Sequence, residues 1–190
     1  PGPWNAEGDG AVQVVASGPD RAMRPIYRGV FTAFTSARRR IWIATPYFVP
    51  DDAISTALDN AALRGVDVRL IVPETSDLHM VAMAGRSYFD DLMATGVRIY
   101  LYRPTLLHSK VLVIDDAVGV VGSSNVDIRS FFLNFELGVF LYGRREIAAL
   151  ADGFEEDFAR SREILPAELA RRGRVARFLE DTCRIFSPLF

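Results

Sequence analysis

The sequence contains few of the residues from which disulfide frameworks and metal sites are built. It has one cysteine and two histidines among 190 residues. An internal disulfide is therefore excluded, and the Cys and His residues do not have the spacing of a zinc site. No apolar run approaches the roughly 18 residues that a membrane-spanning helix needs. We expect no metal, no cofactor and a chain that is soluble or peripheral to a membrane.

Positive charge is not in excess, because 22 Lys and Arg residues face 24 Asp and Glu residues. A globally basic nucleic-acid-binding surface is therefore not expected. Lysine is almost absent: Lys110 is the only one, and every other cationic residue is an arginine. Arginine presents a broad planar fork, whereas lysine is a compact point charge that can approach one oxygen of a crowded phosphate. The exception indicates a position that arginine would not serve.

The chain is long enough for one well-buried domain and short for two. Residues 1–10 are rich in Pro and Gly and are interpreted as a linker remnant, residues 11–164 as the folded domain, and residues 165–190 as an amphipathic basic segment. Alternating strands and helices predict an α/β/α sandwich with a mixed, mostly parallel sheet. Strands are predicted over 12–16, 40–45, 66–72, 97–102, 110–115, 118–123 and 135–142, and helices over 23–37, 51–64, 144–162 and from a cap at Ser76 or Asp77 to about 95.

One segment, His-Ser-Lys-Val-Leu-Val-Ile-Asp at 108–115, combines polar residues with a good strand. The run after Lys110 is β-branched and apolar, and side chains two residues apart along a strand share one face. His108 and Lys110 are therefore predicted to point the same way. Asp115 has the opposite parity, so we assign it to structure, holding the turn at 115–117. His79 lies among apolar residues of a predicted helix and is also taken as structural.

The spacing of two recurs at Ser123 and Asn125 and again at Asn134 and Glu136. Three adjacent strand ends would then direct an imidazole, an ammonium, a hydroxyl, a carboxamide and a carboxylate into one pocket. A phosphodiester is anionic, so its cleavage needs cations and hydrogen-bond donors aimed at the non-bridging oxygens. Imidazole can attack phosphorus or protonate a leaving alkoxide, but one histidine cannot do both at once. The predicted catalytic residues, half of the machinery required, are His108, Lys110, Ser123, Asn125 and Glu136.

The pattern H-x-K-x4-D-x6-G-S-x-N, in which Gly122 is a structural member, resembles the HKD motif of the phospholipase D superfamily. The resemblance implies that two such motifs meet at a pseudo-twofold interface. One histidine then forms a covalent phosphohistidine, the other acts as acid and base, and no metal is required. By this resemblance His108 takes the acid-base role. Glu136 matches a carboxylate that hydrogen-bonds the histidine of the opposite motif.

Further runs are similar to the C-terminal half of a bacterial cardiolipin synthase; they lie at 17–19, 46–50, 64–73, 96–100, 127–130, 134–136 and 186–190. This resemblance implies transfer of a phosphatidyl group from one phosphatidylglycerol to another, with release of glycerol. It implies phosphatidylglycerol and an anionic membrane surface as partners, and the bacterial cytoplasmic membrane as the location of the full-length protein. The first HKD half, or a second copy of the chain, would complete the site, so the isolated chain is expected to be inactive or weakly active.

Two other functions stay open. The first is a metal-independent endonuclease or phosphodiesterase in which two copies of a single-HKD chain pair. The single motif favours this function, whereas the acidic balance and the cardiolipin-synthase-like runs count against it. The second is a non-catalytic module whose partner half supplies the activity.

The segment after the motif contains four candidate substrate-binding residues. Asp127 and Arg129 would contact a headgroup or brace the loop after Asn125. Phe131 and Phe132 would line an acyl-chain groove or fill the core.

The segment 165–190 interleaves five arginines with aromatic and aliphatic residues and resembles an interfacial amphipathic helix. Basic residues near an anionic leaflet contribute about 1 kcal/mol each, so several would hold the domain against a phosphatidylglycerol-rich membrane. The alternative is an ordinary helix that docks on the domain.

Overall fold

The structure is a computed structural model that describes residues 10–186, apart from the side chains of residues 170 and 174. Most of the predicted linker remnant and the last four residues therefore lie outside the described part. The strands are β1 Val12–Ser17, β2 Arg40–Ala44, β3 Phe48–Val49, β4 Asp67–Pro73, β5 Arg98–Tyr102, β6 Val111–Ile114, β7 Val118–Gly122, β8 Val126–Asp127, β9 Glu136–Leu141 and β10 Ser161–Glu163. The helices are α1 Pro25–Ser36, α2 Asp52–Leu63, α3 His79–Arg86, α4 Phe89–Ala94, α5 Ile128–Phe132, α6 Arg144–Arg160, α7 Pro166–Ala170 and α8 Arg174–Ile185.

An eight-stranded sheet in the order β1-β9-β7-β6-β2-β4-β5-β10 forms the centre of the domain. The predicted α/β sandwich with a mixed sheet is confirmed, but within this sheet only β2 with β4 and β4 with β5 pair parallel. The other neighbours in this sheet pair antiparallel. The expectation of a mostly parallel sheet is therefore corrected. The reason is local: the short turn at 115–117 can join only antiparallel strands, since a parallel pair needs a long crossover.

Each face of the sheet carries its own buried cluster. Strand β2 is buried on both faces, so its apolar residues do not alternate with polar ones. Ile41 and Ile43 face the cluster formed with α1 to α4. Trp42, with the opposite parity, packs with Phe154 and Phe158 of α6 on the other face. The sheet is thus clamped between helices, and its strand ends are held in a fixed register.

The predicted helix reaching residue 95 is two helices, α3 and α4, and neither Ser76 nor Asp77 is its N-cap, which is Leu78. Gly85 fits closely here, because a Cβ at this position would lie 2.7 Å from the Phe48 carbonyl oxygen. The Ser87 hydroxyl donates to the Ala84 carbonyl oxygen at 2.7 Å. Such a bond competes with the helical backbone pattern, and the chain changes direction there.

The predicted closing helix over 144–162 ends at residue 160, and the next three residues form edge strand β10. This strand pairs antiparallel with β5. The pairing is reinforced by a bidentate interaction in which the Arg98 guanidinium donates to both Glu163 carboxylate oxygens at 2.8 Å. Contacts between distant parts of the chain thus override the local helical signal.

None of the helices between residues 10 and 186 is both long enough and apolar enough to cross a bilayer.

Candidate active site

The polar residues of the motif gather at the edge of the sheet where β6 begins, β7 ends and β9 begins. Lys110 immediately precedes β6, Ser123 immediately follows β7, and Glu136 is the first residue of β9. The antiparallel register brings these three strand ends side by side, because Val111 pairs with Val121 and Val121 pairs with Val139. The structure therefore brings together side chains that the spacing of two predicts on one edge.

A hydrogen-bonded group of three residues lies at this edge. The Ser123 hydroxyl donates to the Glu136 carboxylate and accepts from the Leu137 backbone N–H at 3.0 Å. The Asn134 amide donates to the other Glu136 oxygen at 3.3 Å. The carboxylate is thus held by two side chains of its own domain. Its remaining acceptor positions are available to a group from outside the domain, such as an imidazole N–H.

Lys110 is half-buried, and its ammonium donates to the His108 carbonyl oxygen at 2.9 Å. Burial lowers the pKa of Lys110, while the charges of Glu136 and Asp127 act in the opposite direction. The ammonium therefore lies within electrostatic reach of both carboxylates. A lysine in this setting can neutralise an anionic oxygen that replaces water at the site.

His108 is exposed at the same edge, between the loop that follows β5 and the start of β6. It does not belong to β6, so its position is set by the preceding loop and by the bond from Lys110 to its carbonyl oxygen. An exposed imidazole at the mouth of the site can exchange protons with a substrate that arrives from solvent or from a membrane surface.

Asn125 lies at the back of the site. Its backbone N–H donates to the Ser130 hydroxyl at 3.2 Å. Its side-chain oxygen is buried and has no partner among the residues that the structure describes. A buried acceptor without a partner is uncommon in proteins and marks a position where a ligand or water would supply the missing donor.

Asp127 is buried at 8% exposure and caps α5, because its carboxylate accepts from the Ser130 backbone N–H at 2.6 Å. Burial raises the pKa of Asp127, while hydrogen bonds from Ser130 and Asn125 act against this. Of the two predicted roles, bracing of the loop after Asn125 is the one that the structure shows, and direct headgroup contact is corrected. Arg129 is exposed on α5, so headgroup contact by its side chain stays a prediction.

The prediction that Phe131 lines an acyl-chain groove is wrong, because this residue is 3% exposed and belongs to the core. Its ring lies edge-on to Tyr27, with ring centres 5.4 Å apart. Phe132 is half-buried and packs on the same tyrosine at 4.9 Å, with the Arg24 guanidinium 4.4 Å above its ring. The short helix α5 turns these rings inward. The exposed apolar residues are instead Leu133 and Phe135.

Gly122, the last residue of β7, lies so close to β9 that there is no room for a side chain. A Cβ added there would collide with the Leu137 carbonyl oxygen and lie 3.0 Å from the Gly138 Cα. The glycine of the motif therefore allows β7 and β9 to converge beside Ser123.

Asp115 lies at the far end of β6, away from these groups. Its carboxylate accepts from the backbone N–H groups of Arg38, Arg39 and Arg40 at 3.0, 2.8 and 3.0 Å. Burial opposes ionisation of this carboxyl, but the three donors outweigh it and lower the pKa of Asp115. Its backbone is left-handed, with φ of 53°. The structure thus places Asp115 where its side chain fixes the start of β2, the neighbouring strand.

Two residues near the site were missed by the sequence analysis. The Tyr47 hydroxyl donates to the Asp77 carboxylate at 2.8 Å. The hydrogen bond from Tyr47 lowers the pKa of Asp77, and the charge of His108 acts in the same direction. Tyr47 follows β2 and Asp77 follows β4, which are parallel neighbours. The carboxyl ends of parallel strands commonly carry ligand-binding residues, and this rule would have singled them out.

His79, predicted as structural, is exposed at the first residue of α3. Within residues 10–186, no three His, Cys, Asp or Glu side chains are grouped so that they could hold a metal ion.

The C-terminal segment folds as α7 and α8, and several of its arginines face the domain. The Arg172 guanidinium donates to the Asp90 and Glu180 carboxylates. The Arg184 guanidinium lies 4.1 Å from the Tyr88 ring centre. The outward face of α8 is apolar and carries Val175, Phe178, Leu179 and Ile185. Arg172 and Arg184 are thus engaged within the domain, whereas Arg171 and Arg177 are exposed, and membrane contact by this segment stays a prediction.

A family model described as "Cardiolipin synthase, PLD-like domain" matches residues 30–160 of the chain. The chain is 43% identical over 185 residues to a cardiolipin synthase of Halalkalibacterium halodurans, covering 97% of this chain and 37% of that protein. It is 46% identical over 185 residues to a cardiolipin synthase 2 of Bacillus cereus, covering 96% and 36%. The chain thus spans little more than a third of the length of these curated relatives.

Solved structures share the fold. Nuc from Salmonella typhimurium, a phospholipase D family member, superposes with a TM-score of 0.68 at 23% identity, covering 82% of this chain and 99% of that chain. Phosphatidylserine synthase from Haemophilus influenzae superposes with a TM-score of 0.76 at 15% identity, covering 95% of this chain and 48% of that chain. At these identities the likeness concerns the fold alone.

Proposed function

We propose a function for this chain that starts from its family: it belongs to the PLD-like domains of cardiolipin synthases. It supplies one HKD half-site to an enzyme that transfers phosphatidyl groups between phospholipids. The observation that carries the proposal is the convergence of Lys110 with the bonded pair Ser123 and Glu136 at one sheet edge. In a chain of this family, a cation and an oriented carboxylate beside an exposed His108 match the needs of phosphodiester chemistry.

The reaction proceeds in two displacements at phosphorus. A histidine of the opposite half-site attacks the phosphorus of the donor phosphatidylglycerol, and the bond from phosphorus to the glycerol oxygen breaks. His108 gives its proton to that oxygen, so that glycerol leaves and a phosphohistidine remains. A hydroxyl of a second phosphatidylglycerol then loses its proton to His108 and attacks phosphorus, and the P–N bond breaks. The products are cardiolipin and glycerol, and His108 regains its proton.

Lys110 and the Asn125 amide are assigned to the non-bridging oxygens of the phosphoryl group during both displacements. Lys110 supplies positive charge from a half-buried position. Asn125 can contribute only through the N–H groups of its amide, because its buried side-chain oxygen, which has no partner among the described residues, is an acceptor. Donors and charges already in place need no reorganisation as charge moves in the transition state.

The opposite half-site is contributed by another part of the same protein or by a second copy of the chain. A candidate contact surface lies on β1 and β9, where paired residues share one face of the sheet. Val12, Val14 and Leu137 on this face are 61%, 64% and 49% exposed, and Phe135 beside it is 75% exposed. Such a continuous apolar sheet face next to the site is suited to cover by another domain.

The alternative function is a homodimeric single-motif phosphodiesterase or endonuclease. One observation favours it. The superposition with Nuc covers 99% of that chain, so the Nuc chain consists of a single domain of this fold. Two observations count against the endonuclease alternative. They are the match to the cardiolipin synthase family and the absence of a basic excess, with 22 basic and 24 acidic residues.

The chain, purified alone and mixed with the N-terminal half of a related cardiolipin synthase, should be incubated with phosphatidylglycerol vesicles and separately with DNA. We expect cardiolipin and glycerol in equal amounts from the mixture and little or none from the chain alone. A His108→Gln chain in the same mixture is the control. DNA cleavage by a dimer of the chain, without lipid transfer in any mixture, would replace this proposal with the nuclease alternative.

The outward face of α8 is proposed to contact the membrane that holds the substrate. Its residues Val175, Phe178 and Ile185 are 73%, 69% and 76% exposed. Because Arg172 and Arg184 are engaged within the domain, insertion of apolar side chains should contribute more than electrostatic attraction.

Vesicle co-sedimentation of Phe178→Ser tests this contact, with Leu63→Ser on α2, a residue 69% exposed, as the matched control. The Phe178 variant should bind phosphatidylglycerol vesicles several-fold more weakly at both low and high salt. Binding of the control should equal that of the unchanged chain. Undiminished binding of the Phe178 variant would place the membrane contact elsewhere.

A further inference from the structure

A polar cleft lies beside the site, between the loop that follows β4 and the loop that follows β5. It contains about 680 Å³ of free space, part of it open to solvent. Leu106, two residues before His108, and Asp77 both line the cleft. Its polar lining consists mainly of Glu74, Thr75, Asp77, Arg103 and Thr105. The catalytic steps described above do not use this cleft.

Asp77 is held in the cleft by a specific contact. The Tyr47 hydroxyl donates to one of its carboxylate oxygens at 2.8 Å. The backbone of Tyr47 is fixed in turn, because the Thr45 hydroxyl donates to the Tyr47 carbonyl oxygen at 2.9 Å. A carboxylate has about four acceptor positions, so most of those on Asp77 stay available to a ligand.

Burial and the hydrogen bond to Asp77 raise the pKa of Tyr47 to about 12, so the phenol keeps its proton and continues to donate. The same bond, together with the charge of His108, lowers the pKa of Asp77, which therefore stays ionised. An ionised acceptor next to the acid-base histidine is thus a stable feature of the cleft.

The chemistry of the cleft fits a neutral polyol rather than an anion. Arg103 is its cation, and this side chain lies 3.5 Å from the Glu74 carboxylate, which offsets its charge. The Glu74 carboxylate also lies 3.6 Å from Arg162, so both arginines near the cleft are engaged by Glu74 and Asp77 is the ionised acceptor that the cleft offers to a ligand. Hydroxyl groups of a ligand can donate to the carboxylates, while the Thr75 and Thr105 hydroxyls can both donate and accept.

The cleft also has an apolar lining residue. Leu106 is 51% exposed, and Leu78, which follows Asp77 in the chain, is 47% exposed. A ligand that carries hydroxyl groups at one end and an apolar body at the other would match both parts. A lipid with a polyol headgroup has this character.

We propose that this cleft binds the polyol headgroup of the acceptor lipid, with Asp77 accepting a hydrogen bond from a headgroup hydroxyl and Tyr47 holding Asp77 in position. The inference rests on the proposed transfer reaction and names its acceptor subsite. A headgroup bound here by one hydroxyl would direct another hydroxyl toward His108, which removes the proton of the attacking oxygen. Acceptors with a single hydroxyl would lack the first contact.

Partition of the phosphatidyl group between glycerol and ethanol tests the subsite. The active assembly found in the lipid assay is supplied with phosphatidylglycerol vesicles and with labelled glycerol and ethanol at fixed concentrations. The amount of labelled phosphatidylglycerol is then compared with the amount of phosphatidylethanol. Both products arise from the same phosphohistidine, so a change in how fast that intermediate forms cancels in their ratio. The ratio therefore reports acceptor recognition alone.

Asp77→Ala should lower the ratio of glycerol product to ethanol product by at least about tenfold, since a hydrogen bond to a charged group is lost. Tyr47→Phe should lower it by a smaller factor, because the carboxylate remains but is no longer held. Asp91→Ala on α4 removes the same charge at an exposed position outside the cleft and should leave the ratio unchanged. Thermal unfolding of each variant checks that the fold is intact.

An Asp77→Ala ratio within about twofold of the unchanged protein would overturn the subsite while leaving the transfer reaction in place. If the unchanged protein forms neither phosphatidyl product in any assembly, the proposed function fails and this inference fails with it.

Discussion

The two ends of strand β6 carry residues of the same motif but are built in different ways. At one end the Asp115 carboxylate accepts from three backbone N–H groups of a neighbouring segment. At the other end His108 is exposed and Lys110 is half-buried near two carboxylates. The polar groups of the first end are satisfied within the domain, whereas we propose that the second end receives groups from outside. The two ends therefore differ as strand parity predicts, with Asp115 at the structural end and the proposed chemistry at the other.

The largest expected effect lies at the chemical end. His108→Gln should lower turnover of the active assembly by about 10²- to 10⁴-fold, the range typical for loss of an acid-base group. The side chain is exposed, so the free energy of unfolding should be nearly unchanged. Rates measured on phosphatidylglycerol vesicles, together with denaturant unfolding, check both statements. A variant that keeps more than about a tenth of the rate would remove His108 from the mechanism.

Lys110 should show the next largest effect. Lys110→Ala is expected to lower turnover by about 10²- to 10³-fold, because a preorganised charge on the phosphoryl oxygens is lost. Lys110→Arg keeps the charge but replaces a compact ammonium by a planar fork, so it should recover only part of the rate. Initial rates of the two variants, at matched protein concentrations, give the comparison. Full activity of the arginine variant would mean that the single lysine is an accident of composition.

A substitution at Gly122 tests whether the end of the motif that carries the proposed chemistry also contains a residue needed for stability. Gly122→Ala should lower the free energy of unfolding by about 1–3 kcal/mol, because the added Cβ would collide with the Leu137 carbonyl oxygen. Gly153→Ala in the middle of α6 is the matched control, since a Cβ there meets nothing within 4 Å. That change should stabilise the helix by about 0.5–1 kcal/mol. Equal effects of the two substitutions in urea unfolding would refute the close approach of β7 and β9.

At the structural end, Asp115→Asn should lower the free energy of unfolding by about 1–2 kcal/mol at pH 7. Asparagine tolerates the left-handed backbone at this position, so the loss reflects charge and acceptor capacity. Because the pKa of Asp115 is lower in the folded state, its contribution is complete above the unfolded pKa of about 3.9 and is lost as the pH falls through the folded value. The difference between the two proteins should shrink as acid is added. A constant difference down to about pH 2 would contradict this.

The sequence predicted the elements whose signals are local. Strand β6 with the turn after it, and helix α2, lie where alternation, turn chemistry and helical pattern predict them. The convergence of Lys110, Ser123 and Glu136 followed from a spacing of two on neighbouring strands. In each case the signal in the sequence comes from residues only a few positions apart.

The features that escaped prediction depend on contacts between distant segments. Tyr47 and Asp77 are 30 residues apart and meet only because β2 and β4 are parallel neighbours. Phe131 turned inward because Tyr27 of α1 lies across from it. The amphipathic pattern of α8 was clear, but such a pattern does not state which face meets the domain. The face that meets the domain carries Cys183, which belongs to the core, and Arg184, whose guanidinium lies over the Tyr88 ring.

The most direct test of the division within the motif is the turnover of Asp115→Asn at a pH and temperature where unfolding curves show the variant fully folded. We predict a rate within about twofold of the unchanged protein, compared with a loss of about 10²-fold or more in His108→Gln. A fully folded Asp115 variant that loses activity as completely as the His108 variant would contradict it, and would make Asp115 part of the chemistry.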